Sequence, residues 1–306
     1  MPQIVPNQNV QARAAIRIPA AKRRLDAPAP VRLWHLTSLD APTVAVVWSL
    51  AFAWVAGIRL PVWIPLLLGL TAWAVYIADR LLDAQTALRA ANLDSLRERH
   101  CFHHRHRRVL VPVAICAACV AACIVFTLMP VAVRERNSAL AVAGLAYFTG
   151  VHSSGRRSTL GFPSFSPLVK KELLVGLLFT AACALPAFSR TAAQTGVSFW
   201  LLAGAAVFYA LLAWLNCYAI DRWEVREQEP EKSRIFPMAC LLGFTGLLLA
   251  VFVGSIEPRL AALATAGAVS AMLLAMLDRV RGRITPLALR VTADLALLTP
   301  AVLLLR

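Results

Sequence analysis

The chain has 306 residues, 59% of them hydrophobic, with a mean hydropathy of +0.66 and 31 Lys and Arg against 16 Asp and Glu, a formal net charge of +15. This composition excludes an ordinary soluble domain. A charge of this size suits nucleic acid, but the basic residues gather in short loops between apolar runs, as topology determinants do, so no nucleic-acid partner is expected.

Residues 1 to 40 are polar, Pro-rich and basic, with Arg13, Arg17, Lys22, Arg23, Arg24 and Arg32. No short apolar stretch with a small-residue cleavage site follows these charges, so the segment reads as a disordered cytoplasmic tail and not a signal peptide. Its end, VRLWHLTSLDAPT, is suited to a short amphipathic entry helix in the interface. The remainder, 41–306, reads as a single transmembrane domain. Its apolar runs are 41–58, 60–83, 109–129, 137–151, 170–188, 197–221, 235–255, 258–277 and 287–305. They predict an all-α bundle of about nine membrane-spanning helices.

An odd number of spans puts the termini on opposite sides. With the N-terminus inside, 25 Lys and Arg fall in the tail and the inner loops, and only Arg59, Arg134, Arg136, Arg190, Arg259 and Arg306 fall outside. The positive-inside rule therefore predicts a cytoplasmic N-terminus and inner ends for spans two and six.

Those two inner ends carry the costly residues. AVYIADRLLDAQ, from Ala74 to Gln85, places Asp79 and Asp83 four residues apart, on one face of a helix. LLAWLNCYAIDRWEVRE delivers Asn216, Asp221 and Glu224 at the end of another apolar run. Carboxylates at helix mouths are expensive in a membrane and mark function by default. Paired carboxylates beside Arg80, Lys170, Lys171 and Arg222 suit magnesium and a diphosphate, because magnesium takes hard oxygen ligands together with substrate phosphates. Taken alone, each cluster is more often a polar cap, and Asp79 and Asp83 have Arg80, Arg97 and Arg99 as solvated partners. Two clusters on the same side shift the balance towards a site. Glu172 remains open between pairing with a neighbour and a role in chemistry.

At these residues the sequence resembles the UbiA-like intramembrane prenyltransferases, as a divergent member. That family has nine transmembrane helices, a cytoplasm-facing cavity, an N-D-x-x-D-x-x-x-D motif after helix two and a second acidic motif after helix six. VYIADRLLD, Val75 to Asp83, matches the first motif at Asp79 and Asp83, with Val75 and Tyr76 where the family has Asn and Asp. NCYAIDRWE, Asn216 to Glu224, is similar to the second, best at Asp221 and Arg222. Lys171 and Gly176 are similar to the start of helix five. The resemblance implies transfer of a prenyl group from an allylic prenyl diphosphate to an aromatic or related lipophilic acceptor, in a bacterial inner (plasma) membrane. It also implies Asp79, Asp83 and Asp221 as catalytic residues. Magnesium is held by these with Asn216 and Glu224, and the diphosphate by Arg80, Lys170, Lys171 and Arg222. Tyr76, Asn216 and Tyr218 line the cavity, with Tyr147 and Trp214 as further candidates; for the aromatics, packing is the commoner role. A rival from another class is a transporter or a non-catalytic relative that binds a lipid or diphosphate. No inverted repeat favours a transporter, whereas Val75 and Tyr76 favour the non-catalytic relative.

Seven cysteines give no disulfide framework, and Cys116, Cys119 and Cys123, at helical spacing, read as small buried hydrophobes and not zinc ligands. RERHCFHHRHRR, with His100, His103, His104 and His106, reads as a basic segment on anionic headgroups. The loop HSSGRRSTLGFPSFSP is irregular, and Gly155-Arg156-Arg157 is a weak anion signal. Asp278 reads as a cap beside Arg279, and Asp294 as a deeper acid partnered by Arg290.

Overall fold

A computed structural model describes residues 25–89, 98–153, 167–194, 199–225 and 233–305. The stretch 1–24, Arg97 and the loop with Gly155, Arg156 and Arg157 lie outside the described residues. The described chain is helical: α1 (Ala29–Leu36), α2 (Asp40–Val55), α3 (Trp63–Arg89), α4 (Glu98–Arg105), α5 (Arg107–Thr127), α6 (Val131–Ser153), α7 (Pro167–Gln194), α8 (Phe199–Val225), α9 (Ile235–Gly254), α10 (Pro258–Val280) and α11 (Pro286–Ala296). A 3₁₀ segment, Thr299–Leu305, follows α11 at a 41° bend.

Each of the nine predicted runs falls on a helix, but length and apolarity single out fewer spans. α3, α5, α7, α8, α9 and α10 each contain a stretch long and apolar enough to cross a bilayer, and the bent pairs α1–α2 and α11 with its 3₁₀ tail raise the number from six to eight. The predicted run 137–151 lies in α6, whose first turns carry Arg134, Glu135 and Arg136, and α6 is not among these spans. The last run breaks because α11 ends at Ala296 and the chain turns before Thr299.

Helix ends follow from local sequence. α2 stops at Gly57, whose φ of +69° is open to glycine at no steric cost. α10 and α11 each begin on a proline in the first turn, and Thr285 caps α11 by accepting from the Ala288 amide. The α1–α2 corner turns through 88° at Ser38, a non-glycine residue at φ +62°.

Packing centres on α2, α8 and α10. Trp48 of α2 stacks on Tyr209 of α8 at 3.8 Å between ring centroids, Phe52 meets Tyr209 edge-on, and the Trp48 indole donates to the Leu297 carbonyl at 2.8 Å. Lipid tails are as apolar as these side chains, so the helices associate through close packing and buried hydrogen bonds. Small residues permit the close approach: a Cβ on Gly246 or Gly267 would meet the Phe208 ring at 2.8 or 2.5 Å. The N-terminal end is pinned as well. Leu25 forms a parallel bridge to Ile284, and the Thr285 hydroxyl donates to Asp26, so the residues before α1 clip onto the α10–α11 joint.

Candidate functional site

One end of the bundle gathers the start of α2, the ends of α3, α8 and α10, the short helices α1 and α4, and the start of α11. Asp79 and Asp83 lie one turn apart on α3, Asp79 half-buried and Asp83 exposed. Asp221 is half-buried near the end of α8. Two residues on other helices are coupled to them electrostatically. Tyr147 of α6 lies within electrostatic reach of Asp79 and of Glu172, and Glu172 of α7 within reach of Lys171, Asp221 and Arg290. Glu172 is only 8% exposed. Asp79 of α3 and Asp221 of α8 are thus linked only at longer range, Asp79 within electrostatic reach of Tyr147 and Asp221 of Glu172, which are within reach of each other.

The other members of the predicted set divide. Arg222 sits over the Tyr218 ring at 5.2 Å, and Tyr218 stacks on Trp214. Lys171 is exposed near the start of α7, and Lys170 precedes it on the same helix. Asn216 donates to Asp294 Oδ1 at 3.2 Å, and Glu224 Oε1 accepts from Arg99 at 2.8 Å and from Arg290 at 2.9 Å. Arg80 points into the protein interior. It is 2% exposed and donates to the His35 carbonyl at 2.7 Å, to Ser38 Oγ at 2.9 Å and to Asp40 Oδ2 at 3.1 Å. The Asp79–Arg80 neighbours thus serve different surroundings, because successive helix residues point about 100° apart.

This second set of surroundings was the less legible. His35 Nδ1 lies 2.6 Å from Asp40 Oδ2 and 4.0 Å from Asp294 Oδ2, all three at the α1–α2 corner against α11. Tyr76 is within electrostatic reach of Asp40 and Asp294. The amphipathic helix expected before the first span is present as α1, but its His35 is fully buried. A histidine five residues before an acid at a span entrance was the only available signal. Asp294 finds Asn216, while Arg290, its expected partner, bonds Glu224 across to α8. Asp278 accepts from Trp223, Ser233 and Arg281, whereas Arg279 lies over the Phe236 ring.

The histidine-rich segment also differs from expectation. It forms α4, with His104 half-buried and His106 exposed, but His103 is fully buried. The His103 Nδ1–H donates to the Arg99 carbonyl at 2.8 Å, so Nε2 accepts from the Ser38 hydroxyl at 3.0 Å, and that hydroxyl accepts from Arg80. Burial pushes the His103 pKa down to about 4, with Arg80 and Arg99 lowering it further and the Arg99 carbonyl and Asp40 opposing. Folded His103 is neutral at pH 7. The undocked segment takes up a proton near the ordinary pH 6.5, so α4 docking is undiminished above that value and weakens as pH falls from about 6.5 to 4. Amide exchange in α4 should accelerate across this window in the wild type, and the pH dependence should flatten in His103→Gln. An unchanged profile in that variant would reject this assignment.

Cys116, Cys119 and Cys123 are exposed on apolar α5, a correction to the buried placement expected for them. Small residues on the outward face of an apolar helix satisfy the same composition. All seven cysteines are free. No protein-family model matches the chain, and neither the curated proteins nor the solved structures contain a significant match.

Proposed function

We propose that the chain is an integral-membrane prenyltransferase-like protein of the UbiA-like type. It transfers a prenyl group from an allylic prenyl diphosphate to an aromatic or related lipophilic acceptor, with the acidic helix ends facing the cytoplasm in a bacterial inner membrane. The observation that carries this reading is the electrostatic coupling that runs from Asp79 to Tyr147, from Tyr147 to Glu172 and from Glu172 to Asp221.

Asn216 and Glu224 are bonded to Asp294, Arg99 and Arg290; the proposed donor set is Asp79, Asp83 and Asp221, with Glu172 beside them in the electrostatic chain. These are hard carboxylate oxygens and fit magnesium. When bound, the ion supplies neutralisation of the departing diphosphate. Lys171 is the exposed cation on α7 nearest these acids in sequence and adds a point charge for the phosphate. The rings of Trp214, Tyr218 and Tyr147 provide apolar surface beside the carboxylates, suited to excluding water from an allylic cation.

A second reading is supported by specific contacts. Arg80, Asn216 and Glu224 are committed to internal partners, and Val75 and Tyr76 bring no carboxylate or amide. These features favour a relative that binds a prenyl diphosphate without turning it over. Magnesium-dependent binding of a prenyl diphosphate to purified protein in detergent tests both. Binding is expected to weaken by about tenfold or more in Asp79→Ala and in Asp221→Ala. Binding with no prenylated product across several acceptors supports the second reading. Failure of the well-folded wild type to bind any chain length rejects both.

A further inference from the structure

His35, Asp40 and Asp294 come from three elements, yet one ligand atom from each lies within 4.8 Å of the others. The arrangement leaves buried donor atoms unused. His35 Nε2, Asp40 Oδ1 and Asn216 Oδ1 have no hydrogen-bond partner among the described residues, and their side chains are 0%, 2% and 4% exposed. Asn216 is joined to the cluster through its amide nitrogen on Asp294. A buried acceptor without a partner is costly, so the cluster is incompletely satisfied as it stands.

We propose that His35, Asp40 and Asp294 form a binding site for a single divalent transition ion of the zinc class, separate from the carboxylates of Asp79, Asp83 and Asp221. The donor set decides the class. Imidazole nitrogen with two carboxylates suits zinc and its neighbours, whereas magnesium favours oxygen alone. Arg80 pairs with Asp40, and Arg290 and Arg99 both pair with Glu224, so charge alone does not draw a dication here and coordination must hold it. Imidazole coordination to a borderline ion supplies this.

The geometric change is small. His35 Nδ1 and Asp40 Oδ2 share a hydrogen bond at 2.6 Å. Tetrahedral ligands about 2.0 Å from zinc stand about 3.3 Å apart, so entry of the ion replaces the shared proton and parts these two atoms by under about 1 Å. A water, or Asn216 already bonded to Asp294, would complete the shell. The 16% exposure of the Asp294 side chain gives a way in, and Arg80 donates to the same Asp40 oxygen and orients that carboxylate.

The test is zinc binding to metal-stripped full-length protein in detergent, read as metal per chain after desalting. His104 and His106 are changed to Ala throughout to remove solvent-accessible imidazoles outside the cluster. About one zinc per chain is expected in this background and in Asp79→Ala, unaffected by excess magnesium. Asp294→Asn and His35→Gln should each lower the affinity about tenfold or more. Asp294→Asn retains a side chain of the same shape beside Asn216, and it decides the matter if His35→Gln fails to fold. Absence of stoichiometric zinc in the background protein, or zinc retained at full affinity in Asp294→Asn, would overturn the site and leave the cluster as a hydrated polar network. The Asp79→Ala arm keeps this result distinct from the prenyl-diphosphate reading, which fails or holds by its own binding assay.

Discussion

Arg80→Met is expected to destabilise the protein by about 3–5 kcal/mol, the range for removing one partner of a buried ion pair. Arg80 is 2% exposed and Asp40 2% exposed, so the substitution strands a carboxylate where water does not reach. The same guanidinium satisfies the His35 carbonyl and the Ser38 hydroxyl. Its loss therefore opens three bonds at once and frees the 88° corner between α1 and α2. Arg222→Met is the control, since Arg222 is half-buried and its described contact is with the Tyr218 ring, worth about 1 kcal/mol. Thermal midpoints in detergent compare the two. Equal, small shifts would show that the α1–α2 corner does not depend on the buried pair.

Gly176→Ala is the second large effect. α7 and α8 cross so closely that a Cβ at Gly176 would stand 2.9 Å from the Trp214 backbone nitrogen and 3.1 Å from its Cα. Backbone cannot rotate aside as a side chain can, so the helices must separate. Overpacking of this kind costs about 1–3 kcal/mol, and Gly176→Leu exceeds Gly176→Ala. The separation also moves Trp214 and Asn216 of α8 relative to Glu172 of α7, so diphosphate binding should fall with stability. Gly144→Ala is the contrast: nothing lies within 4 Å of its added Cβ. The helix preference of alanine should make that change neutral or stabilising by about 0.5–1 kcal/mol. Equal effects at Gly176 and Gly144 would refute the close crossing.

Much of the scaffold was legible because membrane helices announce themselves locally. Each apolar run, such as 235–255 on α9, depends only on its own composition, and its limits follow from nearby charges, prolines and glycines. The same locality explains the excess in the predicted number of spans. Hydropathy counts the 137–151 run, but only chain geometry shows Arg134, Glu135 and Arg136 continuing the same helix at α6. At the acidic ends, helical spacing placed Asp79 above Asp83, and nothing local showed Arg80 turned into the protein.

The sequence by itself determined that this is an all-helical protein with several apolar helices, roughly where those helices lie, and that acidic residues stand on the later turns of α3 and α8. Periodicity and the energetic demand for satisfied backbone groups in lipid suffice for that. Only the tertiary structure decided which polar residues meet. His35, Asp40, Arg80, His103, Asn216 and Asp294 are drawn from six helices, up to 259 positions apart as His35 and Asp294 show. Each is buried, or nearly so, only because a partner from another helix arrives to bond it, and such pairing at long range leaves no periodic trace along the chain.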